Sequence, residues 1–378
     1  MEAAIHTDSQ NKSGQTGSVS RNRNIDIVRS IALLWVMIYH IWILTGGARI
    51  TNPVLDDFIR FGGEIGVTIF FVLSGYGIFL SLVHRNQTGQ IRFLPFMKKR
   101  LIRIVPEYAL SLLVLLFFTS QAACLSTAGL KQVVLHLVFL HNMDAATAGS
   151  INGALWTMAV IVQFYLLAVP MYRLLQKTKY FFPVLFMAIT IGCKIICFHY
   201  LHLADDFWAS RQILPSVIDN FALGMFTAWL AQRKPLEGTN KKWFNLVIIT
   251  LSFVLLYLVC QFGVNHGIHS DTASGYVWHT LIALCVCFGI FFYARKELSG
   301  SHIIKRGLLW ISKYEYGIYI VHLVLIVNLL EYSTILQKIS AYPAAKYPVF
   351  TFLSMFFGWI LCICADGIRT CLITDKTR

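Results

Sequence analysis

Charged residues are scarce in this chain: 13% of its 378 residues are Asp, Glu, Lys or Arg, where soluble domains carry about 25%. So little polar surface cannot coat a globule in water, and the number of soluble domains that such a length would otherwise imply does not apply. Acidic residues are the scarcer sign, 18 against 32 Lys and Arg, for a net charge of +14. Cysteine is present nine times, an odd number, and no C-x-x-C pair occurs. Cys193, Cys197, Cys260, Cys285, Cys287, Cys362 and Cys364 fall inside apolar runs. They read as small hydrophobes, which excludes a disulfide framework or a zinc ribbon. No Gly-x-Ser-x-Gly surrounds Ser74, so no hydrolase-type nucleophile elbow is present. No internal repeat is visible either.

What the chain has in abundance is long apolar runs. They begin near Asp26, Gly62, Val105, Gly153, Phe181, Ile213, Trp243, Tyr276, Glu315 and Pro348, and each lasts about 17 to 25 residues, as a helix crossing hydrocarbon must. The fold class is therefore all-α, a polytopic membrane bundle of about ten transmembrane helices with both termini cytoplasmic. Residues 1–24 read as a disordered cytosolic tail, 25–372 as the membrane domain and 373–378 as a short cytosolic tail. The first apolar run lacks a small-residue cleavage site and is expected to stay. A shorter amphipathic piece, Leu130 to His141, is expected to be interfacial or re-entrant.

Basic residues test this division. If the N-terminal tail and every second loop lie inside, 25 of the 32 Lys and Arg fall on the inner side, which is what positive-inside orientation requires. Arg211 counts among the outer remainder, and Lys194 falls within a span. Because the basic residues sit between apolar runs, the charge excess reports membrane topology and not nucleic-acid binding.

Two polar groups in the first span share a face. Arg29 and His40 are eleven positions apart, close to three turns, or about 16 Å along the axis. Asp26, one turn before Arg29, can orient its guanidinium. Ionisable groups at membrane depth are costly and usually face a wet or protein-lined interior. A lone histidine there would be read as helix packing; its place on the face of an Asp–Arg pair points to function.

The Asp-x-x-Arg, ten residues, His pattern resembles the opening of acyltransferase family three, the bacterial membrane O-acyltransferases of cell-surface glycans. Further along, Gly63-Glu-Ile-Gly66 through Phe70-Phe-Val-Leu-Ser74-Gly75-Tyr76 is similar to that family's second-helix signature, with Thr68 where an acidic residue is common. Lys98-Lys-Arg100-Leu-Ile-Arg103 through Pro106-Glu-Tyr108 resembles its basic loop. Leu155-Trp156-Thr157 through Gln163-Phe164-Tyr165 resembles its fourth motif, with Asn142 and Asn152 ahead of it, and Tyr316-Gly-Ile-Tyr319-Ile-Val-His322 its penultimate helix. Two departures stand out. Ile161 and Val162 occupy the place where the family usually has a Glu, and Leu323 follows His322 where a Pro is common. Glu64 and Glu107 are the nearest alternative acids by topology.

The resemblance implies transfer of an acyl group, most simply acetyl, from cytosolic acyl-CoA to a hydroxyl of a cell-surface or lipid-linked carbohydrate, at the inner membrane. His40 would be the base, and Arg29, Arg100 and Arg103 would bind the donor. Asp26, Glu64, Trp156, Tyr319 and His322 would support them. Acetyl-CoA or another acyl-CoA would be a co-substrate, with no bound cofactor and no metal. Rival readings are a transporter or flippase with Arg29, Glu64, Lys194 and Asp219 along its path, or an inactive scaffold. A transporter would often show paired Gly/Pro-broken helices, and none is evident. Four smaller expectations follow: Lys194 pairs with Asp219 or lies near the substrate path; the His199-x-x-His202 and His266-x-x-His269 pairs are solvated; Gly62, Gly66, Gly75 and Gly77 let helices approach; and Tyr316, Tyr319 and His322 share one helix face.

Overall fold

The structure, a computed structural model, describes residues 22–87, 89, 91–118, 126–204, 206–233, 242–293 and 301–374. Most of the expected N-terminal tail and the last four residues of the C-terminal one lie outside the described residues, as do the basic loops 234–241 and 294–300.

Helix α1 (Arg23–Leu44) opens on Asn22, whose side chain accepts from the Asn24 and Ile25 amides and satisfies two otherwise unpaired donors. Asp26 in its first turn suits the positive end of the helix dipole. The short α2 (Pro53–Arg60) has Asn52 as cap and Pro53 at its first position, where a missing N–H costs nothing. Then come α3 (Gly62–Gln87), α4 (Phe93–Phe118), α5 (Thr127–Leu137) and α6 (Ala145–Ala148). The second half runs α7 (Trp156–Thr178), α8 (Phe181–Ile195), α9 (Ile218–Arg233), α10 (Lys242–His266), α11 (Ala273–Tyr293), α12 (His302–Tyr332), α13 (Thr334–Ser340) and α14 (Pro343–Thr374). Among the described residues there is no strand.

Among the described residues, eight helices are long and apolar enough to cross a membrane: α1, α3, α7, α8 with the π-helical turn that extends it, α10, α11, α12 and α14. The two other expected spans are helical but differ. Helix α4 carries Lys98, Lys99, Arg100 and Arg103 in its first half. Helix α9 has only 16 residues, because residues 208–216 form a π-helical turn and a 3₁₀ turn before it. Irregular backbone inside a bundle is tolerated where it is buried in protein or lines a cavity, and this segment does both.

Helix α3 is the axis of the bundle, packed on α1, α9 and α11. Its approach to α9 depends on two glycines facing each other's backbone. A Cβ on Gly75 would lie 2.1 Å from the Phe221 carbonyl oxygen, and one on Gly224 would lie 2.0 Å from that of Val72. Gly62 and Gly66 similarly admit Trp35 and Val36 of α1. Gly77 differs: the atom nearest its missing Cβ is Arg29 Nη2, at 3.5 Å, so it makes room for a guanidinium and not for a helix.

Candidate active site

Two cavities open in the bundle. The first, about 400 Å³, is lined by Asp26, Arg29, Lys99, Arg100, Arg103 and Glu315 together with Ser74, Tyr165, Tyr316 and apolar residues of α3 and α7. The three expected donor-binding arginines therefore meet in one space, although they come from α1 and α4. Arg29 is held between two carboxylates, with Asp26 3.9 Å from Nη1 and Glu315 4.0 Å from Nε. Arg100 lies over the Phe96 and Tyr165 rings at 5.4 and 5.8 Å, a cation–π seat that fixes the guanidinium. Ile161 lines this cavity too, so its wall is apolar at the position where a Glu was looked for.

The second cavity, about 240 Å³, is lined by Tyr39, His40, Glu64, Trp156, Phe207 and Arg211 among others. Val67 and Tyr319 belong to the lining of both. The eleven-residue spacing of Arg29 and His40 thus places them in adjoining cavities, one cationic, the other holding the histidine.

The hydrogen bonds around His40 select its tautomer. His322 Nδ1 lies 2.6 Å from the Tyr319 carbonyl oxygen, and a carbonyl only accepts, so this nitrogen carries the proton and Nε2 of the neutral ring is an acceptor. His322 Nε2 is 3.2 Å from His40 Nδ1, which is also 2.9 Å from the Val36 carbonyl. His40 therefore holds its proton on Nδ1, shared between two acceptors, and keeps the lone pair on Nε2. His322 and the Val36 carbonyl together fix the orientation of the His40 ring.

Glu64 sits at the start of α3 and is a hub. Its Oε2 is 2.9 Å from Arg211 Nε and 2.9 Å from His279 Nε2, while Oε1 is 3.6 Å from His269 Nε2. Arg211 also donates to Thr68 Oγ1 at 3.2 Å and to the Glu64 carbonyl at 3.1 Å. His279 Nδ1 accepts from Lys194 Nζ at 2.9 Å, so its proton is on Nε2 and it donates to Glu64.

Several expectations are corrected here. Lys194 bonds His279, and Asp219 accepts instead from Thr280 Oγ1 at 2.5 Å. His269 is not a solvated partner of His266: it meets Glu64 and Ser210, whose Oγ is 2.8 Å from its Nδ1. Arg211 is fully buried, not part of an outer loop. Glu107 is drawn out of consideration by Arg369, with which it pairs. Sequence reasoning missed Arg211, His269, His279 and Glu315 as site residues. The in-span charges of Glu64, Lys194 and Asp219 were the signals that a polar network existed there.

The two asparagines ahead of α7 act as braces. Asn142 donates to the Gln212 carbonyl at 2.9 Å and accepts from Gln163 at 2.7 Å, tying the Arg211 segment to α7. Asn152 donates to the Ile320 carbonyl at 2.8 Å, tying the same loop to α12. Beside Asn142, outside the eight spans, His141 stacks on His136 with ring centroids 3.8 Å apart. Burial, then the neighbouring His136, pushes His141 down to about 3, and burial lowers His136 as well. Unfolded, each would titrate near 6.5. The folded state thus binds fewer protons below that value, so the stabilisation is complete above pH 6.5 and is lost as pH falls towards 3. For His141 the loss is about 1.4 kcal/mol per pH unit over that range, and His136 adds to it in the same direction. The melting temperature of the detergent-purified protein is expected to fall from pH 7 to pH 5, and less steeply for His141→Phe, which keeps the stack. A profile that is flat for the unsubstituted protein would contradict this.

The family model described as an acyltransferase domain (Acyl_transf_3) matches residues 22–365. Nodulation protein 10 of Rhizobium leguminosarum bv. viciae is 22% identical over 84% of this chain and 86% of its own length. An O-acetyl transferase of Shigella phage Sf6 is 24% identical over 78% of this chain and 82% of its own. The O-acetyltransferase OatA of Staphylococcus aureus is 29% identical over 38% of this chain, and the match spans 23% of that longer protein. No solved structure matches. With a family match running from the cap of α1 almost to the end of α14, the chain belongs to acyltransferase family three.

Proposed function

We propose that this protein is a membrane O-acyltransferase that moves an acyl group from cytosolic acyl-CoA to a hydroxyl of a cell-surface or lipid-linked carbohydrate. The observation that carries the reading is the pair of adjoining cavities, one with Arg29, Lys99, Arg100 and Arg103, the other with the Nε2 face of His40. Arginine forks suit the phosphates of a nucleotide thioester. The positive-inside count puts the cationic cavity on the cytosolic side with both termini, where acyl-CoA is found.

In the reaction, His40 Nε2 takes the proton of the acceptor hydroxyl as its oxygen attacks the thioester carbonyl. The C–O bond forms, the C–S bond breaks, and the proton returns from His40 to the departing thiolate. The imidazolium formed in between keeps its Nδ1–H on His322 and the Val36 carbonyl. No proton is gained or lost overall, so the bundle needs no proton path through the membrane. Trp156 and Phe207 offer aromatic faces, and Glu64 a carboxylate, to a sugar entering from the outer side. The phage relative, an O-acetyl transferase by name and alike over most of its length, favours a transferase over a transporter.

The test is the O-acyl content of the native surface glycan, read by NMR and mass spectrometry in a deletion strain with and without the restored gene. Loss of an acyl group on deletion and its return on complementation is the expected result. A deletion that leaves every glycan's acylation unchanged would overturn the reading.

A further inference from the structure

The two cavities share only two residues of their linings, Val67 of α3 and Tyr319 of α12. Both are nearly buried, 7% and 6% exposed. They stand where the cavities adjoin, so a direct route from the arginine cluster to His40 meets both. If the donor's nucleotide stays on the arginines, the acyl group alone makes that passage.

Neither side of this passage can yield easily. Val67 is β-branched and helical, in the second turn of α3, where one side-chain rotamer dominates. Tyr319 is wedged edge-on against Phe70, with ring centroids 5.7 Å apart, and lies 5.4 Å from the His322 ring that orients His40. The tautomer itself is set by the Tyr319 backbone carbonyl, but the ring is packed between Phe70 and His322, so swinging it aside would cost both contacts. A close-packed interior of this kind discriminates at the level of single methylenes.

The far side of the passage also selects by charge. A dicarboxylic acyl tail would arrive beside the Glu64 carboxylate, while the nearby Arg211 guanidinium is already engaged by Glu64 and Thr68. Two carboxylates at short range in a low-dielectric site repel strongly.

Resting on the acyltransferase reading above, we propose that Val67 and Tyr319 form a neck that restricts the transferred group to a short uncharged acyl chain. Val67 sets the ceiling on chain length.

The test uses membrane vesicles holding the full chain, cytosolic face outward, with the deletion strain as background. CoA release and glycan acylation are followed with acetyl-, propionyl-, butyryl-, hexanoyl- and succinyl-CoA. Wild type is expected to favour acetyl and propionyl, with kcat/KM falling about tenfold or more per added methylene past the ceiling. Val67→Ala, which keeps helix propensity, is expected to raise the butyryl-to-acetyl ratio by about tenfold. Val67→Ile is expected to lower propionyl more than acetyl. Equal turnover of hexanoyl- and acetyl-CoA by wild type, or a ratio unmoved in both variants, would overturn the neck while leaving acyl transfer intact. A preference for succinyl-CoA would overturn the charge argument. No turnover of any thioester above the background would overturn the acyltransferase reading and the neck with it.

Discussion

Alanine at position 40 is expected to lower acyl transfer by about 10²–10⁴-fold, the usual contribution of a positioned general base, with the loss in kcat and the KM for acyl-CoA little changed. The separation of the two cavities is the reason for that split. On the proposed reading the donor is bound by Arg29, Arg100 and Arg103 in one cavity, whereas His40 lines the other, beyond Val67 and Tyr319. The hydrogen bonds give the prediction a second arm. His322→Ala removes the acceptor 3.2 Å from His40 Nδ1, leaving the ring tied to Val36 alone. Transfer should fall, by less than in His40→Ala, because the base survives but is less well oriented. Vesicle assays at matched membrane levels measure both. Full transfer by His40→Ala would make the histidine a packing residue. Conversely, a loss in KM for acyl-CoA as large as the loss in kcat would place the donor on His40 and not on the arginines.

The cationic cavity and His40 were legible in the sequence because both depend on local periodicity. Eleven residues on one helix fix a face and an axial distance, and positive-inside counting brings the basic stretch in the first half of α4 to the same end as Arg29. The polar hub of Glu64 was not legible, since its partners come from four separated segments: Lys194, Arg211, His269 and His279. Arg211 was hardest to foresee. Hydropathy averages smear the short irregular segment 208–216 into a span and a loop, and only tertiary bracing by Asn142 and Trp208 turns it into the bundle. The same averaging made ten similar spans out of eight long apolar helices, a helix with a basic first half, and a short one behind a broken turn. Glu315 was missed for a related reason: it read as the start of a span, yet α12 begins at His302 and carries it deep enough to face Arg29.

The hub predicts the largest change in stability. Arg211 is 1% exposed at its side chain and Glu64 14%, while Lys194 and His279 are buried beside them. Charges taken out of water are tolerated only when paired and hydrogen-bonded, and removing one partner leaves the other uncompensated at a cost of about 3–5 kcal/mol. Glu64→Ala strands Arg211 and removes the acceptor that holds His279, and with it the end of the Lys194–His279 chain. Against a total stability of about 5–15 kcal/mol for a typical domain, that is enough to lower the amount of folded protein in the membrane. Glu64→Gln keeps an acceptor oxygen for one donor but not the charge, and should fall between Glu64→Ala and wild type. Arg211→Met is expected to be as harmful as Glu64→Ala, since it leaves the carboxylate against two histidines. The double variant Glu64→Leu with Arg211→Met removes both charges, and its loss should be smaller than the sum of the single losses, as for other buried pairs in direct contact. Melting temperatures in detergent, read as a double-mutant cycle, measure that coupling. If Glu64→Ala melts like wild type while acyl transfer falls, the carboxylate serves the acceptor and not the fold. Additive single losses would mean that Arg211 is held chiefly by Thr68 and the Glu64 carbonyl, which no substitution of the Glu64 side chain removes.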